Sequence, residues 1–162
     1  MSVRDWNRTT RETELEGFPP EMSGAIREHI AQYNLGEILS DSLMAIETRS
    51  DRAKNGLFGK AETVITDVVL TPRWLVWAIK DGKGEVTAVS ARLADIVVTD
   101  FAKSKMAQLV PDTGLEVTGE FTGLAHGLPS EQRGTIFIGL GEGPVAQKFQ
   151  EALVRAVQDA RK

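Results

Sequence analysis

Residues 70–80 read LTPRWLVWAIK, the most hydrophobic and most aromatic passage of the chain. Its reading decides the fold. Side chains alternate along a β-strand, so Trp74, Val76 and Ala78 share one face while Leu75, Trp77 and Ile79 share the other. Neither face is polar, so a strand here needs cover on both sides. The run TVITDVVLT (63–71) before it is strongly β-branched and reads as the preceding strand. Pro72-Arg73 makes the turn between them, because proline pre-sets a tight turn and cannot donate within a central ladder. Asp81-Gly82 then supplies a hairpin signal.

The period of two extends outward over nearly a hundred residues. LMAIET (43–48), EVTAVSA (85–91), ADIVVTDF (94–101), GLEVTGEF (114–121) and TIFIGL (135–140) bring the expected strands to seven. The two ends differ. Met22, Ile26, Ile30 and Tyr33 form one stripe of an amphipathic helix within residues 19–36, with Asn34 and Gly36 as stop signals. Pro144 opens a second helix whose stripe is Val145, Phe149, Ala152, Leu153, Ala156 and Val157. Residues 1–18 are polar and read as an arm that stays loose unless something docks it.

At 162 residues, with 41% apolar and 26% charged, the chain is a single soluble domain with a substantial core. A net charge of −4 argues against nucleic-acid binding, which needs a basic excess. The absence of cysteine removes disulfides and thiolate metal sites. No apolar leader and no 18-residue apolar run occur, so the expectation is a cytoplasmic protein.

Seven antiparallel strands followed by one amphipathic helix is also the order of the pleckstrin-homology-like domains, and the residues resemble the bacterial members of that family. VVLTPRWLVWAIKDG (68–82) resembles their second and third strands, and SARLADIVV (90–98) the passage that follows. The resemblance spans roughly residues 40–160. It implies a mainly β, α+β architecture: a strongly bent, partly open antiparallel barrel over residues 40–162, capped by the C-terminal helix. Residues 1–18 and the 19–36 helical extension are additions to it. It further implies a binding module without catalytic residues or cofactor.

Four places in the sequence invite a functional reading. The loop RSDRAKNGLFGK (49–60) carries Arg49, Arg52, Lys54 and Lys60, which together offer a contact for anionic lipid; a merely solvated loop is the alternative. GLGEGP (139–144) lies between a strand and a helix, where phosphates are held, but Pro144 removes a required donor and no Lys-Ser/Thr follows. His29, His126 and Ser130 are the residues a catalyst would draw on, and neither they nor Asp67, Asp95 and Asp100 fall in a recognisable spacing. The fourth is an association surface of Trp74, Val76, Met22, Ile26, Ile30 and Tyr33, unless one of the helices covers that face from within. The expected function is non-enzymatic binding of a protein partner or of a second copy. Peripheral binding to an anionic membrane and carriage of a small apolar ligand are the alternatives.

Overall fold

Both faces of the 74–80 strand are covered from within the chain. The computed structural model describes residues 6–53, 59–109, 112–123 and 131–162. Strands β1 (Trp6–Thr13), β2 (Met44–Arg52), β3 (Glu62–Leu70), β4 (Trp74–Lys80) and β5 (Val86–Arg92) pair antiparallel in sequence order. Strand β7 (Gly114–Thr122) lies between β6 (Val97–Asp100) and β8 (Glu131–Gly139). The two groups join through a single pair, Ser90 opposite Thr122, where the sheet turns its corner. The result is a curled half-barrel, with helix α1 (Pro20–Gln32) between β1 and β2 and helix α2 (Pro144–Ala160) at the end of the chain. This is the mainly β architecture read from the sequence, with eight strands among the described residues rather than seven. Among the described residues no helix is long and apolar enough to cross a membrane.

The inner face is set by register. Val68 and Val89 flank Trp77, and Leu70 and Ala91 flank Leu75. These residues meet Phe121 and Ile138 of the other strand group, and the Phe149, Leu153, Ala156 and Val157 stripe of α2 closes over them. Trp77 is fully buried and stands edge-on to Phe121, with ring centroids 5.9 Å apart. Only its indole N–H lacks a partner.

The outer face carries a second cluster: Ala45, Val69, Val76 and Ala78 under Phe18, Met22, Ile26 and Ile30. Helix α1 therefore covers that face. It begins with Pro20 in its first turn and ends where Asn34 turns left-handed at φ 55°. Leu35 N–H then bonds Ile30 C=O at 3.0 Å and Asn34 N–H bonds Ala31 C=O at 3.3 Å, which satisfies the last carbonyls.

From Trp6 onward, where it is described, the polar arm expected at residues 1–18 is docked, and β1 is the sheet's additional strand. WNRTTRET pairs with β2 from Trp6–Arg52 to Thr13–Ala45. After Trp6 its inward positions, Arg8 and Thr10, are polar, so hydrophobic alternation gave no signal, but each finds a partner. Arg8 holds Asp112 with two bonds of 2.8 and 2.9 Å and also donates to Ser50. Thr10 bonds Thr48 at 2.7 Å. The Arg8 guanidinium lies between the rings of Trp6 and Phe137, at 5.2 and 5.3 Å. Strand β1 thus fills the opening between β2 and the β8–α2 junction. The strand β2 also runs further than expected, to Arg52, because β1 gives it a second partner.

The two tryptophans should separate in a denaturation experiment. Trp77→Ala empties the centre of the inner core and is expected to cost about 3–5 kcal/mol. Trp74→Ala, at the half-buried rim, is expected to cost less than half as much; equal losses in urea unfolding would contradict this division of the faces.

Candidate functional site

Of the six residues that would have formed an association surface, four are closed from inside. Met22, Ile26 and Val76 have no exposed area and Ile30 very little, because α1 lies on the sheet and buries each against the others. A patch made of these residues is therefore not presented to a partner. Trp74 and Tyr33 alone remain half-buried. They meet at one cleft, of about 630 Å³, between the C-terminal end of α1 and the corner where β5 parts from β7.

The cleft is built by the split in the sheet. Beyond the Ser90–Thr122 pair, β5 and β7 diverge, so Arg92, paired with Trp74 of β4, and Glu120, paired with Arg133 of β8, face an opening between the two strands rather than each other's ladder. Arg92 places its guanidinium over the Trp74 ring at 5.4 Å. Asp95, from the short turn after β5, and Thr122 complete the polar wall, and Asn34 stands opposite. Among the described residues the side chains of Tyr33, Asn34, Asp95, Glu120 and Thr122 make no hydrogen bond or ion pair, and Arg92 makes only its stack. An aromatic wall with several unpartnered polar groups of both charge signs is what a recognition cleft requires.

Behind this cleft, His29 Nε2 and Ser90 Oγ lie 2.8 Å apart. The spacing is that of a base and a nucleophile, but His29 is 4% exposed and Ser90 not at all, so no substrate reaches the hydroxyl in this arrangement. The ring stacks on Tyr33 at 4.7 Å, and Gly123 lies so close that a Cβ there would fall 2.7 Å from the imidazole. The bond ties α1 to β5. Burial holds the imidazole pKa below its ordinary 6.5.

A second polar feature lies on the same outer face of the sheet, near the start of α1. Glu47 of β2 and Asp67 of β3 are directly opposed in the ladder. Asp67 has no exposed area, and both its oxygens, together with Glu47 Oε2, are buried without a donor. Burial first, then the neighbouring Glu47, push the Asp67 carboxyl up to about 9.

The basic loop is largely neutralised where it is described. Arg49 pairs with Asp51 at 3.1 Å. Arg52 pairs with Glu62 at 2.6 Å and stacks on Trp6 at 4.9 Å. Lys60 is exposed, and Lys54 lies outside the described residues, as do His126 and Ser130. Gly139 and Gly141 serve packing against Arg8, and Gly143 turns the chain at φ 132°: a Cβ on Gly141 would lie 2.8 Å from the Arg8 carbonyl, and the Gly141 N–H is already donated to Thr10 Oγ1 at 2.8 Å. Asp100 caps the turn at Ala102. Among the described residues no group of three or more His, Asp or Glu side chains is placed to hold a metal.

Arg92, Glu120, Glu47 and Ser90 were not singled out by the sequence reading. Asp67 did leave a trace, as a polar residue between Ile65 and Val69 on one face of its strand, whereas Glu47 and Ser90 each have an arginine beside them on the same face and stood out less. Arg92 and Glu120 left none, since their proximity depends on where β5 and β7 part. Comparison of the chain with protein-family models, with curated proteins and with solved structures finds no match.

The His29–Ser90 bond sets two expectations. Ser90→Ala leaves a buried ring nitrogen unpaired and should cost about 1–3 kcal/mol. A histidine whose folded pKa is depressed binds fewer protons folded than unfolded, so its contribution is lost as the pH falls below 6.5. Thermal melts from about pH 7 down to about pH 5 should show the wild type losing stability relative to His29→Gln as the pH falls, a comparison in which the opposite contribution of Asp67 cancels; a difference between the two that does not change with pH would place the titration elsewhere.

Proposed function

We propose that the chain is a non-enzymatic binding module that recognises a protein partner, or a second copy of itself, through the Trp74 cleft. The observation that carries this reading is the set of polar side chains without partners around a half-buried tryptophan. Trp, Tyr and Arg are the residues that most often anchor protein interfaces, and Trp74, Tyr33 and Arg92 stand together here. A lining that holds one cation and two carboxylates, Arg92 with Asp95 and Glu120, suits a polypeptide surface carrying both signs better than a uniformly charged one.

Two observations weigh against the alternatives. Arg49 and Arg52, two of the four residues an anionic membrane would engage, already have acid partners. The barrel interior that a small apolar ligand would need is occupied by Trp77, Phe121 and Phe149, all without exposed area.

The test uses a photo-crosslinking residue placed at 92 or 120, with position 158 on the outer side of α2 as control. Crosslinks to a polypeptide from the cleft positions alone are expected, and Trp74→Ala should weaken that association about thirtyfold. A chain that stays monomeric and crosslinks nothing from the cleft would sink the reading. So would binding to anionic vesicles that vanishes on Arg49→Glu and Arg52→Glu, which would restore the membrane alternative.

A further inference from the structure

The outer face of β2 and β3 holds two acids and too few donors. Arg11 of β1 reaches Oε1 of Glu47 through Nε and Nη2, at 3.1 and 3.0 Å. Among the described residues nothing donates to Glu47 Oε2 or to either oxygen of Asp67. Two carboxylates cannot hydrogen-bond one another, and a bare carboxylate sealed from water is strongly disfavoured. One proton removes both difficulties. A protonated Asp67 donates to Glu47 Oε2, and Arg11 balances the charge that remains.

We infer that Glu47 and Asp67 share one proton, carried on Asp67, and that this acid pair is a pH-sensitive clasp which holds α1 on the sheet and releases it as the solution becomes alkaline. Ile65 and Val69, two residues to either side of Asp67 on the same face of β3, pack against the cluster that α1 covers. The charged groups facing Asp67 are Glu47 from β2, Arg11 from β1 and Glu21 from α1, the last tied at 3.0 Å to Lys80 of β4. His29, further along α1, bonds Ser90. An ionised Asp67 would bring the facing acids to three against the two cations.

The sign follows from proton counting. When α1 lifts, water reaches Asp67 and its carboxyl returns towards the ordinary 3.8. Between that value and about 9 the closed form holds one proton more than the open form. The open-to-closed ratio therefore rises about tenfold per pH unit across that window. Above about pH 7 His29 is neutral in both forms and drops out.

Hydrogen exchange of the α1 amides from Met22 to Ile30, corrected for intrinsic rates, reads this ratio directly. Between about pH 7 and about pH 9 the wild-type chain should show the tenfold rise per unit. Asp67→Asn keeps the shape and an N–H donor but cannot titrate, and should show no rise. The β4 amides should stay more protected than those of α1. An equal slope in the Asn variant, or α1 and β4 opening together, overturns the clasp. Carbon-13 titration of the Asp67 carboxyl in the wild-type chain decides the matter even if the variant fails to fold: it should be protonated at neutral pH, and an ionised signal there would refute the shared proton.

Discussion

Strand β4 has no polar face, and the rest of the molecule is arranged around that constraint. A central strand with an apolar residue at every position from Trp74 to Ile79 is stable only if two separate layers exclude water from it. The curl of the sheet and α2 supply the inner layer, built on Trp77, Phe121 and Phe149. The outer layer is α1, which a bare half-barrel with one C-terminal helix would lack. The N-terminal helix is therefore a structural necessity for this sequence and not an appendage.

Covering a sheet with a helix leaves open what fixes the helix in place. Apolar contact between Met22, Ile26, Val69 and Val76 is strong but has little directional preference. The orientation comes from polar ties at both ends: Glu21 to Lys80 near the start of α1, and His29 to Ser90 near its end. The acid pair at Glu47 and Asp67 lies beneath the same layer, which therefore holds a concentration of buried titratable groups that the inner core does not share. The far end of α1 makes one wall of the Trp74 cleft, so whatever positions the helix also shapes the candidate binding surface.

The fold was legible in the sequence wherever burial follows alternation. LTPRWLVWAIK placed Trp77 with Leu75 and Ile79 against Trp74 with Val76 and Ala78, and the stripe from Phe149 to Val157 marked α2 with its burying face. Strand β1 was not legible, because its inward residues are Trp6, Arg8 and Thr10; polar side chains enter a barrel wall only when distant partners satisfy them, and Asp112 lies 104 residues away. The candidate site was legible in part. Trp74 and Tyr33 were identified, but as members of a patch that α1 seals, whereas Arg92, Asp95 and Glu120 come together through the divergence of β5 from β7, a property of sheet geometry that no local pattern encodes.

The β1 seam has a consequence for the order of folding. Pairing of β1 with β2 is close along the chain, but its other ties reach Asp112, Gly141 and Lys148, at sequence separations of 104, 131 and 136. Loops of that length close late, since their entropy is lost before any contact repays it. During synthesis β1 would find β2 early and then wait for Asp112, 104 residues further on, before Arg8 could bury its charge. Closure of the barrel is thus timed by the arrival of β8 and α2, which carry its most distant ties.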